Sequence, residues 1–379
     1  MSPRNVFVAM LAILALLSGC NKGGFDASSV ERDSYQKIIS IFEPSGPWLT
    51  VSGDSTQQRP ANYARILIAE SLRYQATRDS SAQKRIRHAA DFLIGSSDSD
   101  GDGVVGWGTG YSMSAYDLDA LPSETIYSID TAVVLESLLE SVNSGALEAQ
   151  DEASILSIVK AAALGWSQHL FVWDSDQTGF YLYSSNTDQD YFTPNVTARL
   201  GGVFAKFLAL FPETFTAEET ALMRRTLNAC AQKVVAAWRS DSFSWAYSDF
   251  EGEPIDFNDL AHHVTILLGL EQFRKYLGLS VPYSKPDAVH SIEAFFDDGA
   301  AYEYPIELRG KSPDVDPFNR PARLGAISQT AGFLAMMGEG EWGSDVIDSV
   351  VGDGCGEMSQ DVCLVGLHGL AALLFGASL

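Results

Sequence analysis

The sequence predicts an all-α protein in which six helical hairpins repeat and close into a ring. The main observation is a series of apolar helices rich in small residues, each preceded by a charged, amphipathic helix and an aromatic-rich loop. A near-constant period of this kind is typical of one supersecondary unit whose copies bury one another. Five of the apolar helices carry an alanine near the start, at Ala64, Ala132, Ala198, Ala261 and Ala322, so the successive steps are 68, 66, 63 and 61 residues.

The periodicity separates an outer and an inner set of helices. The amphipathic outer helices are expected over 29–43, 81–95, 151–172, 216–239, 286–298 and 341–352. The inner helices are apolar nearly all round, as helices buried on both sides are, and are expected over 61–77, 124–143, 195–211, 258–276, 321–337 and 361–377. Thr216 followed by Glu219 predicts a capping box at the start of the fourth outer helix. Few segments favour strands, so we expect only short β-hairpins in the mouth loops.

This arrangement resembles the (α/α)6 toroid. That fold is shared by many glycoside hydrolases, polysaccharide lyases and uronyl epimerases and, in related rings, by terpenoid cyclases. The resemblance covers residues 30–379 and implies one mouth, where the loops and the inner-helix N-termini converge. It does not fix the chemistry, because one fold hosts many functions. The sequence lacks the Asp-x-Asp-Asp motif of some terpene cyclases, the Cys/His zinc set of lanthionine cyclases and the spaced His–Tyr pair of several toroid lyases.

The first twenty residues predict an export signal. Arg4 precedes an apolar run over 6–17 that is too short to span a membrane. Leu17-Ser-Gly-Cys20 resembles the bacterial lipobox, which implies cleavage before Cys20 and lipidation of that cysteine. By resemblance to lipoprotein sorting, Asn21 favours the outer membrane, with the domain facing the periplasm. We expect a signal peptide over 1–19, a lipidated cysteine and tether over 20–29, and a single domain over 30–379.

The charge balance bears on the partners of the domain. The chain has 49 acidic and 25 basic residues and a net charge of −24, which argues against nucleic acid because such binding needs a basic footprint. An anionic glycan would need a local basic cluster. The segment before the fifth inner helix offers one, formed by Arg309, Lys311, Arg320 and Arg323.

The cysteines do not indicate a metal site. Cys355 and Cys363 are eight residues apart in a chain expected to be exported, which is compatible with a disulfide and with two thiols. Cys230 lies in a helical pattern and is expected to be a buried thiol. None of the cysteines has the paired spacing of a zinc site, and we expect the chemistry to require no cofactor.

The loops that lead into the inner helices repeat an order of acid, glycine and aromatic residue. In a ring these aromatic side chains surround the mouth, where ring faces stack on sugars and phenols bind hydroxyl groups. The alternative is that they pack the loops onto the rim. The candidate sugar contacts are Trp107, Tyr111, Tyr183, Trp245, Tyr247 and Tyr304, and Tyr116, Tyr191 and Tyr302 belong to the same set.

One of these loops resembles the start of a calcium-binding loop. Asp98, Asp100 and Asp102 precede Gly103 in the order D-x-D-x-D-G, and are candidate ligands of a structural Ca2+. Thr109 stands at position twelve, where a bidentate glutamate is usual. The alternative is an Asp/Gly turn that ends the preceding helix.

Polar residues at the starts of the apolar helices are the strongest candidates for chemistry, since burial there is costly unless they are paired or used. Glu124, Asp130 and Asp259 are the candidate acids and bases for glycosidic cleavage. His262 is the candidate base for abstracting the C5 proton of a uronate. Candidate substrate contacts are Asn195, Arg199, His263, Arg320 and Arg323. Asn195 and Asp259 also suit helix N-caps, and the alternative for the whole set is a buried ion-pair belt of the Asp130–Arg199 type.

We therefore hypothesise a lipid-anchored carbohydrate-active protein that acts on a polysaccharide, with glycosidic cleavage favoured. The first alternative is a uronate polysaccharide lyase or C5-epimerase that uses His262 and a tyrosine, with Arg199 and Arg323 on the carboxylate. The second is a non-catalytic glycan-binding or envelope-assembly lipoprotein.

Overall fold

In a computed structural model the described residues are 29–40, 42–43, 46, 50–52, 55–57, 59–113, 120–188, 190–250, 258–308, 320–351 and 371. No helix within these ranges has the length and apolar character needed to cross a membrane. Several predictions lie outside the described residues: the signal peptide and the lipobox, most of the sixth inner helix, and the side chains of Cys20, Tyr116, Arg309, Lys311, Cys355 and Cys363.

The described helices alternate between an outer and an inner layer. The outer helices are α1 (Ser29–Ser40), α3 (Ser80–Gly95), α5 (Ala149–His169), α7 (Ala217–Ala236), α9 (Lys285–Glu293) and α11 (Gly340–Val351). The inner helices are α2 (Pro60–Thr77), α4 (Ser128–Ser144), α6 (Pro194–Leu210), α8 (Leu260–Leu277) and α10 (Leu324–Met336). Short 3-10 helices cover Pro212–Thr214 and Ile306–Leu308. This order confirms the predicted alternation.

The strands form antiparallel two-stranded hairpins in the loops. They are β1 (Thr50–Ser52) with β2 (Ser55–Gln57), β3 (Phe171–Trp173) with β4 (Gly179–Tyr181), and β5 (Phe296–Asp297) with β6 (Ala300–Ala301). Each of the three hairpins joins an outer helix to the following inner helix, as expected for mouth loops.

The inner helices follow one another around the ring. Helix α2 contacts α4, α4 contacts α6, α6 contacts α8 and α8 contacts α10. Helix α1 contacts α11, so the two ends of the series meet. The inner helices are buried on nearly every side, with Val203, Phe204 and Leu267 among many fully covered side chains. The structure is an (α/α)6 toroid, as predicted.

Glycine lets two inner helices approach at backbone distance. A Cβ atom added to Gly269 of α8 would lie 2.2 Å from the Ala198 carbonyl oxygen of α6. A Cβ atom on Gly202 would lie 2.8 Å from the Gly269 carbonyl oxygen. Both distances are below van der Waals contact, so a larger residue at either position would push α6 and α8 apart.

Helix starts confirm part of the capping analysis and correct the rest. Thr216 and Glu219 form the predicted capping box of α7, and Asp259 is the N-cap of α8, accepting a hydrogen bond from the His262 N–H at 2.9 Å. The interpretation of Asn195 as an N-cap was wrong, because Pro194 occupies the first helical position and Thr193 precedes it.

Helix α4 starts four residues later than predicted. It begins at Ser128 instead of Glu124, with Tyr127 at the N-cap position. The reason is non-local, since Ile126 pairs with Gly108 and Tyr127 pairs with Ser184 as isolated β-bridges, which keeps this backbone extended. Asp130 therefore lies in the first turn of α4.

Candidate functional site

The loops that precede the inner helices are hydrogen-bonded to one another and form one rim. The N-termini of α4, α6, α8 and α10 therefore lie at the same end of the ring, which we call the mouth. Three bonds join neighbouring loops: the Ser128 N–H donates to the Tyr183 carbonyl (3.1 Å), the Phe192 N–H to the Asp249 carboxylate (2.6 Å) and the Leu260 N–H to the Glu303 carbonyl (2.9 Å). Two more lie within a loop, from the Tyr127 N–H to the Trp107 carbonyl (3.1 Å) and from the Ala322 N–H to the Ala301 carbonyl (2.9 Å).

The residue after the repeated alanine is basic in four of the five described repeats. These positions are Arg65, Val133, Arg199, His262 and Arg323. Each basic side chain interacts with a carboxylate. Arg65 interacts electrostatically with Asp130, Arg199 pairs with Glu136, His262 lies 2.7 Å from Asp259, and Arg323 lies 3.0 Å from Glu303.

Asp130 has the properties of a proton donor. It lies in the first turn of α4 and is partly exposed at the mouth. Burial raises the pKa of its carboxyl to about 6, although the charges of Arg65 and Arg59 act in the opposite direction. A carboxyl group with a pKa near neutrality can stay protonated in part of the population and donate its proton as a general acid.

Tyr127 lies near Asp130, and two further tyrosines belong to the same part of the mouth. Burial, with the charge of Asp130, raises the pKa of Tyr127 to about 12. The Tyr183 ring meets Tyr127 edge to face at a centroid distance of 5.9 Å. Tyr111 is exposed, and the Arg59 guanidinium lies over its ring at 4.4 Å. Tyr111 and Tyr183 thus lie at the mouth, and their contacts with a sugar stay a prediction.

Asp259 and His262 form a second acid–base group, at the start of α8. The His262 ring atom Nδ1 lies 2.7 Å from Asp259 Oδ1, and the His262 backbone N–H donates to the same oxygen. Burial alone would raise the pKa of Asp259, but the charge of His262 and these two hydrogen bonds outweigh it, so the pKa lies below its usual value. Asp259 is ionised, and Nε2 of His262 is the ring atom on the side away from this carboxylate.

Tyr247 and Tyr304 complete this part of the mouth. The Tyr247 ring meets the His262 ring edge to face at 4.7 Å. Burial, together with the charges of Asp259 and Glu303, raises the pKa of Tyr304 to about 12. The phenol of Tyr304 therefore keeps its proton at neutral pH and can serve as a hydrogen-bond donor.

Two tryptophans predicted to face a glycan instead fasten loops to outer helices. Trp107 and Trp245 are fully buried. Their indole N–H groups donate to the carbonyls of Leu93 in α3 and Val234 in α7, both at 2.9 Å. These bonds satisfy the only polar group of each side chain inside the protein, so these positions correspond to the packing alternative.

His263 also lies in the packing between helices. It is buried, and its Nε2 lies 2.8 Å from the Ser291 hydroxyl of the outer helix α9. Burial lowers its pKa to about 4, so the ring is neutral at physiological pH. Neighbouring residues point about 100° apart on a helix, which explains why His262 reaches the mouth while His263 faces the outer layer.

Arg199 belongs to a buried ion-pair network inside the ring. It pairs with Glu136, which also accepts a hydrogen bond from the Gln272 amide at 2.7 Å. Lys206 pairs with Glu140, one turn further along α4 and two turns further along α6. The belt considered for Arg199 is therefore present, but its carboxylate partner is Glu136 and not Asp130.

The two remaining candidates occupy different surroundings. Asn195 is buried in the first turn of α6, and its Oδ1 atom has no hydrogen-bond partner among the described residues. Glu124 is exposed in a turn before α4, where its carboxylate accepts a hydrogen bond from Ser123 at 2.9 Å. The structure does not place Glu124 in the first turn of an inner helix, where the sequence predicted it.

The three aspartates of the calcium-like loop lie together. A carboxylate oxygen from each of Asp98, Asp100 and Asp102 lies within 4.8 Å of the others, a spacing that suits one hard cation with oxygen ligands. The loop also has the bonds of an Asp/Gly turn, since Asp102 accepts a hydrogen bond from the Val104 N–H at 2.7 Å. The Thr109 hydroxyl donates to the Tyr111 carbonyl instead. The carboxylates remain candidate ligands of a structural Ca2+.

Sequence reasoning missed several residues of the mouth. They are Arg59, Arg65, Tyr127 and Glu303. The charges of Arg59 and Arg65 act on Asp130, the charge of Asp130 acts on Tyr127, and Glu303 pairs with Arg323 at the start of α10. A signal for Arg65 was available, since it occupies the same place in its repeat as Arg199 and Arg323. Glu303 stands between two of the loop tyrosines and had no comparable signal.

Comparisons with known proteins agree with this fold. No protein-family model and no curated protein matches the chain in sequence. Solved structures do match. Cellobiose 2-epimerase from Bacillus thermoamylovorans has a TM-score of 0.59 at 12% identity, with 84% of this chain and 86% of that chain covered. An alpha-mannanase from Bacteroides thetaiotaomicron has a TM-score of 0.58 at 10% identity, with 91% and 96% covered. A reducing-end-xylose-releasing exo-oligoxylanase complexed with xylose has a TM-score of 0.58 at 10% identity, with 93% and 94% covered. At these identities the likeness establishes the toroid fold alone.

Proposed function

We propose that the protein is a carbohydrate-active enzyme that binds an oligosaccharide or polysaccharide in the mouth and cleaves a glycosidic bond. The observation that carries this proposal is a pair of carboxyl groups with opposite pKa shifts. The pKa of Asp130 is raised to about 6, whereas the pKa of Asp259 is lowered. Two carboxyl groups whose environments separate their pKa values are the usual basis for dividing acid and base roles.

Asp130 is the general acid in this proposal. Its proton passes to the glycosidic oxygen as the bond to the anomeric carbon breaks. Asp259 is ionised and held by His262. It either removes a proton from the water molecule that attacks the anomeric carbon, or attacks that carbon itself as the nucleophile. Tyr111, Tyr183 and Tyr247 supply ring faces and hydroxyl groups for the sugars. Similarity in fold to a mannanase and an oligoxylanase supports a carbohydrate substrate.

The test is turnover on a panel of neutral and uronate polysaccharides, following reducing ends and the absorbance of unsaturated uronates together. We expect reducing ends without the absorbance. Asp130→Asn and Asp259→Asn should each lower kcat by roughly 10²–10⁴. Glu213→Gln is the matched control, because this exposed carboxylate follows the C-terminus of α6, away from the mouth. Full turnover in both aspartate variants would refute the assignment.

Epimerisation or lyase chemistry is the second candidate, favoured by the Asp259–His262 pair. With Nδ1 held by the carboxylate, Nε2 of His262 can accept a proton from a sugar carbon. Similarity in fold to cellobiose 2-epimerase supports this candidate. It requires deuterium from the solvent to enter the sugar, or an unsaturated product to form, and His262→Ala should remove either signal. Glycan binding without any turnover would instead favour the non-catalytic alternative.

We also propose that Cys20 carries a lipid anchor. The support is the lipobox resemblance of the sequence, and the test is incorporation of a labelled fatty acid into the full chain in a bacterial host. Cys20→Ala should abolish the label. Equal labelling of the variant, or no labelling of either, would refute the anchor.

The direction of α1 supports an orientation for an anchored domain. Outer helices run toward the mouth, and the chain after α1 follows α3 in that direction. The Phe42 carbonyl accepts a hydrogen bond from Arg85 at 2.9 Å, and Gly46 lies against the ring of His88, closer to the mouth end of α3. The start of α1 at Ser29 therefore lies at the opposite end of the ring. An anchor before it would leave the mouth directed away from the membrane.

A further inference from the structure

Two exposed arginines share one buried carboxylate at the start of α10. Glu303 is only 5% exposed. Its Oε1 lies 3.0 Å from Arg323 Nη2, and its Oε2 lies 3.8 Å from Arg320 Nη1. The side chains of Arg323 and Arg320 are 73% and 60% exposed. A guanidinium has five N–H donors, so most of the donors of this arginine pair face the solvent.

The backbone holds the arginine pair in place beside the proposed acid–base group. The Glu303 N–H donates to the Arg320 carbonyl at 2.9 Å, and the Glu303 carbonyl accepts from the Leu260 N–H at the start of α8. Arg323 occupies the N-cap position of α10. The charge of Arg323 also lowers the pKa of Asp259, although His262 contributes more. The pair is therefore preorganised within electrostatic range of Asp259.

Basic groups gather at this point although the whole chain is acidic. Two guanidinium groups face the carboxylate of Glu303, with His262 and the ionised Asp259 next to them, whereas the whole chain carries a net charge of −24. Exposed charges are screened over about 8 Å at physiological ionic strength. An acidic group at the arginine pair therefore experiences the two guanidinium groups far more strongly than the distant acidic surface.

We propose that the arginine pair binds the carboxylate of a sugar residue in the mouth, so that the substrate is a uronate-containing glycan. This inference rests on the proposed function. Guanidinium N–H groups match the planar oxygens of a carboxylate, which they bind in a bidentate manner. Glu303 orients the two guanidiniums, and the Asp259–His262 group acts on the sugar bound next to them.

The experiment compares binding of a uronate oligosaccharide with binding of the same oligosaccharide after its carboxyl groups are reduced to hydroxymethyl groups. Wild-type protein should bind the acidic form at least about 10-fold more tightly. Arg323→Gln and Arg320→Gln should each weaken binding of the acidic form by about 10-fold and leave the reduced form nearly unchanged. Arg323→Lys should lose less affinity than Arg323→Gln, because lysine keeps the charge but lacks the paired N–H donors of a guanidinium.

Arg87→Gln is the control for charge alone. Arg87 is an exposed arginine of α3 that pairs with Glu148 at 3.1 Å, near the start of α5 and away from the mouth. The Arg87→Gln protein should bind both oligosaccharides with wild-type affinity. Far-UV circular dichroism and the melting temperature check that each variant is folded.

Three outcomes separate this inference from the proposed function. Equal affinity for both oligosaccharides, with the arginine variants unchanged, overturns the inference and leaves glycan binding intact. Arginine-dependent binding of a sulfated neutral glycan, without binding of the uronate, overturns the carboxylate assignment. Absence of binding to any neutral or acidic glycan overturns the proposed function, and the inference with it.

Discussion

Replacing Asp130 by asparagine should remove activity and at the same time stabilise the folded protein at neutral pH. Burial raises the pKa of this carboxyl to about 6 in the folded state, whereas an unperturbed aspartate has a pKa of about 3.9. The folded protein therefore binds this proton more tightly than the unfolded chain does. Charging the group inside the fold costs free energy that the unfolded chain does not pay.

The size and the pH window of the effect follow from the two pKa values. The difference is about 2 pKa units, and each unit is worth about 1.4 kcal/mol. The wild-type protein has full stability below pH 4 with respect to this group, loses about 3 kcal/mol as the pH rises from about 4 to just above 6, and changes little from there to pH 8. Asparagine has no charge to bury, so the variant should be more stable by about that amount at pH 8 and nearly equal at pH 4.

Urea unfolding at pH 4, 5, 6, 7 and 8 measures this difference directly. Asp188→Asn is the matched control, since Asp188 is an exposed carboxylate in a mouth loop, and its substitution should leave the difference near zero at every pH. A destabilised Asp130→Asn protein, or a gain in stability that does not vary with pH, would refute the account of a partly buried carboxyl group with a raised pKa. Loss of activity together with a gain in stability is expected when function requires a group whose charged form destabilises the fold.

Three further predictions concern the pH dependence and the packing of the ring. The acid role of Asp130 predicts that kcat/KM falls as the pH rises above about 6, and a profile flat between pH 5 and 8 would contradict it. Gly269→Ala should lower the free energy of unfolding by about 1–3 kcal/mol through overpacking between α6 and α8, measured against Gly95→Ala, whose added Cβ has nothing within 4 Å. Glu136→Gln should cost about 3–5 kcal/mol, because it leaves the buried charge of Arg199 without its partner; a loss below about 1 kcal/mol would mean that water reaches this network.

Local features of the chain predicted the ring well. The repeated alanines and the apolar helices identified the described inner helices, because burial on both sides requires apolar residues around the whole circumference. The capping box of Thr216 and Glu219 and the N-cap at Asp259 were also correct. Both caps join residues three positions apart, so a short stretch of sequence contains both partners of the interaction.

The mouth loops were less predictable. Trp107 and Tyr111 follow the same acid and glycine residues, yet Trp107 is buried and Tyr111 is exposed. A loop has no period that separates an inward side from an outward side, so the sequence could not distinguish them. The start of α4 was misplaced for a related reason, since the extended pairing of Ile126 and Tyr127 depends on partners elsewhere in the chain.

The chain by itself determined a ring of helical hairpins and the end of that ring at which basic and acidic residues gather. Only the tertiary structure decided what each of those residues does. Arg199 and Arg323 occupy equivalent places in their repeats, but Arg199 is buried against Glu136 and Arg323 is exposed beside Glu303. The pKa of Asp130 is raised and that of Asp259 is lowered for a similar reason. Burial and neighbouring charges depend on helices that are distant in sequence and adjacent in the ring.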